Sequence, residues 1–205
     1  MTMAPGIPRR LGVARRTVVA ASDAVTSIWD SVRRAHARAL HPIRHFAVCR
    51  RLSTAGRPRR ILVVCNGNVC RSPYLQAVLK RSLPGIDIAS AGFASAGRRV
   101  PPLALALGYQ RGVDLAGHQS RIVSQSIISG SDIVIVMDAY QARRLSISFR
   151  LDSSKIVVAP DLAQRFEGAR TIRDPWNGSA EAFESAFNHL DRCAATLVGL
   201  LRDAK

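Results

Sequence analysis

Five apolar residues in unbroken succession, ILVVC at 61–65, are followed after a short polar loop by SPYLQAVLKRSL at 72–83. The first run shows no polar alternation, so both faces of a strand here need cover, as in a parallel sheet. The second opens with Ser72 at the cap and Pro73 at the first helical position, which predicts a helix. The same order recurs along the chain. IDIAS (86–90) precedes a helix over 101–112, entered through proline and left through glycine. SDIVIVMD (131–138) precedes AYQARRLSI (139–147), and KIVVA (155–159) precedes a last helix from Ser179 to about Arg202. On that helix Phe183, Ala186, Phe187, Leu190, Cys193, Leu197 and Leu200 keep helical spacing. Four strands alternating with helices predict an α/β fold, a three-layer sandwich around a central four-stranded parallel sheet. In such sheets ligands gather at the carboxyl ends of the strands, which points to the loop after the first one.

Residues 1–60 differ in kind. They hold 13 arginines, no lysine and two aspartates, hence +11 of the chain's net +16, leaving +5 for the rest. Residues 1–16 mix Pro, Gly and Arg and read as disordered. From Thr17 to Leu40, Val18, Val25, Ile28, Val32 and Ala39 recur at helical spacing with Arg33, Arg34 and Arg38 on other faces. This predicts an amphipathic helix that Pro42 should end or kink. RRLSTAGRPRR (50–60) reads as a basic linker. The expected division is therefore a basic, partly helical or disordered extension over 1–60 and a domain over 61–205. Deleting residues 1–55 is expected to leave the domain working.

The charge of the extension fits electrostatic binding, and its amphipathic stretch fits peripheral contact with an anionic membrane. A transit peptide, or an arm without a role, fits the composition as well. Trp29 and Phe46 are its only aromatic residues, which argues against sequence-specific nucleic-acid reading. No apolar run approaches the ~20 residues that span a bilayer. The first residues lack a signal-type apolar core, and the cysteines are too sparse for a secreted disulfide scaffold. The expected location is the cytoplasm.

The loop CNGNVCRS (65–72) carries two of the four cysteines. No Cys/His spacing matches a zinc site. A loop running from a buried strand into a helix start aims successive backbone N–H groups at one point, where the helix dipole adds positive charge. Gly67 permits and Asn68 tolerates left-handed backbone. Arg71 offers a planar fork to two phosphate oxygens. Asn66, Gly67, Asn68, Val69, Cys70, Arg71 and Ser72 thus read as a phosphate-binding loop, with Cys65 as a thiolate nucleophile that Ser72 can support. A lone strand-end cysteine is more often a buried filler. The company of Gly, Asn, Arg and Ser-Pro at a strand-to-helix junction outweighs that reading.

The pattern C-x-G-N-x-C-R-S-P resembles the signature loop of the low-molecular-weight protein tyrosine phosphatases. ASAGF (89–93), GVDLAGHQSR (112–121), SDIVIVMD and the Asp-Pro-aromatic stretch IRDPWNG (172–178) extend the resemblance over about 61–202. It implies a tyrosine-phosphorylated protein as substrate, with no metal and no cofactor. Cys65 would attack phosphorus to form a phosphocysteine, and Arg71 would clamp the phosphate. Asp174 would protonate the leaving oxygen and then take a proton from water. Trp176, with Asn66 and Val69, would line the substrate slot, and Cys70 would form a reversible disulfide with Cys65. His118 would support the loop through Asn68, whereas His36, His41, His45 and His189 read as surface residues. Some positions depart from the family pattern. Asn66 is polar where many eukaryotic members are apolar, Asn177 replaces a second aromatic, and Gln76 stands where glutamate is usual. Val69 occupies the place of a threonine in phosphoarginine-specific relatives, which favours an aryl phosphate. A thioredoxin-coupled arsenate reductase would share the loop, but it needs a further reactive cysteine pair and only Cys193 lies downstream.

Overall fold

The computed structural model describes the backbone of residues 11–203 and the side chains from Ser27 to Arg202. Strands β1 (Arg60–Cys65), β2 (Asp87–Gly92), β3 (Ile133–Val136) and β4 (Ile156–Val158) form one sheet, all parallel, in the order β2-β1-β3-β4. Each predicted strand is present, shifted by at most two residues. Between them lie helices α2 (Arg71–Ser82), α3 (Pro102–Gln110), α4 (Gln125–Ser129) and α5 (Ala139–Phe149); α1 (Leu11–Thr54) precedes the sheet and α6 (Ala180–Asp203) follows it.

The uninterrupted apolar runs now have their cover. Along β1, Ile61, Val63 and Cys65 face a core shared with Tyr74 and Leu79 of α2, Leu107 of α3 and Phe187 of α6. Leu62 and Val64 face the second core, with Ile128 of α4 and Leu145 of α5. A strand alternates its side chains between faces, so a run apolar at every position is what two covered faces require. Tyr74 stacks on Phe187 with ring centroids 3.8 Å apart, and its hydroxyl donates to Asp191 Oδ1 at 2.8 Å, tying α2 to α6.

Three expectations need correction. Ser72 does not cap α2: the cap position is Cys70, without a side-chain hydrogen bond, and Ser72 lies in the first turn with its hydroxyl turned to Cys65. Helix α1 runs through Pro42 to Thr54, so residues 11–16 and 50–54 are helical rather than disordered or linker. Packing of the turns after Pro42 against the body outweighs its local cost. The expected disorder of residues 1–10 lies outside the described residues. The third correction concerns the appendage. Val48 and Leu52 of α1 are buried in the first core, against α6 and the 3₁₀ turn Ala159–Leu162. The end of α1 is part of the folded body.

The histidines follow the same packing. His41 is buried with Nε2 2.9 Å from the carbonyl of Ala163, and half-buried His45 approaches the carbonyl of Asp161 at 3.1 Å. His189 is buried on α6 with Nδ1 3.3 Å from Glu167. Of the four histidines read as surface residues, only His36 is exposed.

Candidate active site

Cys65 ends β1 and sits beneath the loop that leads into α2. Its sulfur accepts the backbone N–H of Asn68 at 3.2 Å and lies 3.1 Å from Ser72 Oγ. The direction of the second contact follows from the neighbours. Asn68 Nδ2 donates to Ser72 Oγ at 2.9 Å, which leaves the serine proton free to point at sulfur. Two donors and the N-terminus of α2 thus face the sulfur.

Asn68 is buried in the left-handed region, at φ +50°. Every polar group it has is engaged in holding the loop. Besides the bonds above, Nδ2 donates to Ser90 Oγ at 2.8 Å, Oδ1 accepts Arg121 N–H at 2.8 Å, and its carbonyl accepts from His118 Nε2 at 2.8 Å. Burial pushes the His118 pKa down against the pull of that carbonyl, which suits a neutral imidazole donating from Nε2. Ser90 in turn donates to Gln76 Oε1 at 2.5 Å, and Gln76 Nε2 donates to the carbonyl of Ile88. A relay Gln76–Ser90–Asn68–Ser72–Cys65 therefore fixes the sulfur from behind. Gly92 lets the loop lie against β2: a Cβ there would stand 2.8 Å from both Asn66 O and Asn68 N.

Arg71 is buried in the first turn of α2. Nη1 donates to the carbonyl of Ile172 at 2.8 Å, Nη2 pairs with the carboxylate of Asp174, and Nε makes no hydrogen bond among the described residues. The signature arginine and the Asp-Pro loop, 103 residues apart in sequence, meet here. Asp174 is half-exposed and its Oδ1 accepts the Trp176 N–H at 3.3 Å. Trp176 is 41% exposed, with the Arg98 guanidinium 4.3 Å from its ring centroid. Asn66 is exposed at the rim, whereas Val69, expected in the slot, is buried in the core beneath the loop. Cys70 is buried beside it, and burial, with the charge of Asp174 next, pushes its thiol up to about 12. Behind the Asp-Pro loop lies a cavity of about 480 Å³, lined among others by Arg34 of α1, Asp174 and His189. Among the described residues no group of three or more His, Cys, Asp or Glu converges as a metal ion would require.

The sequence alone assigns no role to Ser90, Gly92 or Arg121 and marks Gln76 only as a departure from the family pattern. Ser90, Gly92 and Arg121 lie in the matched segments ASAGF and GVDLAGHQSR, which was the available signal, but only the fold shows what they touch.

Known proteins carry the same arrangement of elements. Wzb of Salmonella typhi, a low molecular weight protein-tyrosine-phosphatase, is 33% identical over 136 residues, covering 66% of this chain and 89% of that protein. The crystal structure of the tyrosine phosphatase AmsI of Erwinia amylovora superimposes with a TM-score of 0.66 at 29% identity, covering 71% of this chain and 95% of that one. The YwlE arginine phosphatase of Geobacillus stearothermophilus gives 0.64 at 29% identity, covering 71% and 94%. The family model described as low molecular weight phosphotyrosine protein phosphatase matches residues 60–205. With that match across the whole sheet and both catalytic-type loops, the chain belongs to the low molecular weight phosphotyrosine protein phosphatase family.

Proposed function

We propose that this enzyme hydrolyses phosphotyrosine in proteins through a phosphocysteine on Cys65. The carrying observation is the convergence of Cys65, Arg71 and Asp174 at the carboxyl end of β1, with two hydrogen-bond donors on the sulfur and the arginine already paired to the acid. The Cys65 thiolate attacks phosphorus as the P–O ester bond breaks. Asp174 gives its proton to the departing phenolate. Water then attacks the phosphocysteine, Asp174 takes the water's proton, the S–P bond breaks, and inorganic phosphate leaves with the thiolate restored. The loop N–H groups and the Arg71 fork stabilise the charge on the equatorial oxygens. For that, Arg71 exchanges one carboxylate contact for phosphate, freeing Asp174 for proton transfer.

Trp176, fixed beside Asp174 and backed by Arg98, supplies the aromatic wall. Cys70, its thiol protonated across the physiological range, is inert at rest. It is available as a resolving thiol once hydrogen peroxide has oxidised the Cys65 thiolate to the sulfenic acid, its O–O bond breaking and hydroxide leaving. Attack by Cys70 sulfur on Cys65 sulfur would then release water and leave a disulfide.

The test is turnover of p-nitrophenyl phosphate in reducing buffer. Cys65→Ser is expected to abolish it, and full activity in that variant overturns the reading. Asp174→Asn should lower kcat by ~10²–10⁴, most for poor leaving groups. Because one structural relative is an arginine phosphatase, phosphotyrosyl and phosphoarginyl peptides are compared side by side; preference for phosphoarginine would reassign the substrate while keeping the nucleophile.

A further inference from the structure

From His41 onward α1 has two opposed faces, while Ser27 to His36 are exposed all round. His41, Val48 and Leu52 look inward and are buried. The outer face carries Ile28, Val32, Ile43 and Phe46, 53–66% exposed, with the exposed Ala35 and Ala39 completing a row in steps of three or four residues. Such steps return to one side of a helix. Trp29, 60% exposed, lies at the margin of this row. Between residues 27 and 54 the helix bears Arg33, Arg34, Arg38, Arg44, Arg50 and Arg51 against a single acid, Asp30. No described helix is long and apolar enough to cross a membrane.

We propose that this face seats the enzyme on an anionic lipid surface. Helix α1 lies in the plane of the interface, with the apolar row at the acyl boundary, Trp29 at headgroup level, and the exposed Arg33, Arg38 and Arg50 on lipid phosphates. Charge decides for lipid over a second copy of the chain. Pairing two such faces would bring arginine rows together with only Asp30 to compensate on each, whereas phosphate headgroups complement them. The inner face of the same helix stays on the folded body, so docking needs no unfolding. Arg34 and Asp174 line one cavity, so the helix that docks also reaches the Asp-Pro loop.

The test is co-sedimentation of the full chain with vesicles of phosphatidylcholine alone and of phosphatidylcholine mixed with phosphatidylglycerol. Partitioning to the anionic vesicles is expected to be about tenfold stronger or more, and to weaken with added salt. In a Trp176→Phe background Trp29 is the sole tryptophan, and its emission should shift to the blue on anionic vesicles. The triple variant Ile28→Asp, Val32→Asp, Phe46→Asp changes only exposed positions; it is expected to lose vesicle binding while keeping its circular dichroism and p-nitrophenyl phosphate turnover. Three results overturn the proposal: no binding to either vesicle, equal anionic binding by the triple variant, or a dimer by size exclusion that the triple variant dissolves without any vesicle binding.

Discussion

Asn68 joins the backbone of the loop after β1 to the sulfur of Cys65, the proposed nucleophile. Its side chain reaches Ser72, Ser90 and the Arg121 N–H, and its own N–H reaches Cys65. Asn68→Ala removes the side-chain bonds and leaves Ser72 without the donor that orients it. Loss of one such hydrogen bond to a charged centre is worth about 2 kcal/mol, or roughly thirty-fold in kcat/KM. The loss should fall mainly on kcat, and an unchanged kcat would show that the loop holds itself. His189 presents a different kind of residue-scale constraint. Its Nδ1 faces Glu167 while its buried Nε2 has no partner among the described residues. Burial lowers its pKa more than Glu167 raises it, and His118 shifts the same way. Folded values below the unfolded one mean that the native chain binds fewer protons than the unfolded chain. The associated stability is complete above about pH 6.5 and is lost as pH falls through the depressed values. The melting midpoint is therefore expected to drop between pH 7.5 and pH 5, and less so in His189→Gln. Equal midpoints at both pH values would refute this.

At the scale of elements, the strands were legible because a parallel sheet writes itself as consecutive apolar residues, and ILVVC and IVIV contain little else. Helix α6 was legible through its spacing: Phe183, Phe187, Leu190, Cys193 and Leu197 are all buried. The end of α1 was not. Val48 and Leu52 stand among Arg44, Arg50 and Arg51, and nothing local distinguishes them from scattered apolar residues on a basic helix. Their burial depends on α6, more than a hundred residues away. The catalytic-type loops divide along the same line. Cys65 to Ser72 are contiguous and carry their own pattern, whereas Gln76, Ser90 and Gly92 act through pairings that only the sheet brings about. Leu52→Ala removes a side chain that is 2% exposed and should cost about 2–4 kcal/mol in urea unfolding. Deleting residues 1–40 should cost far less than deleting 1–55. Equal stability of the two truncations would return α1 to the status of an appendage.

For the molecule as a whole, the uneven charge and the fold belong to one design. A net +6 of the +11 of the first 60 residues, eight arginines against Asp23 and Asp30, lies on α1, a helix whose inner side completes the core. The extension is joined to the body by packing against α6 and the turn Ala159–Leu162 as well as by the chain. His41 and His45 hold the carbonyls of Ala163 and Asp161 at the start of the segment that later supplies Asp174. Asp161 itself is held by Arg170 on that segment.

Arg51 faces the sheet. It is one of the basic residues of α1, yet its Nη2 donates to the carbonyl of Ile156 at 2.8 Å and its Nη1 approaches that of Ser153 at 3.4 Å. β4 is the terminal strand of the sheet, and an uncovered strand border invites backbone amides from neighbouring molecules. The guanidinium occupies one acceptor of that strand, the Ile156 carbonyl. The same helix that turns one face outward thus engages, with the other, an acceptor of the border strand that a neighbouring chain could otherwise pair with.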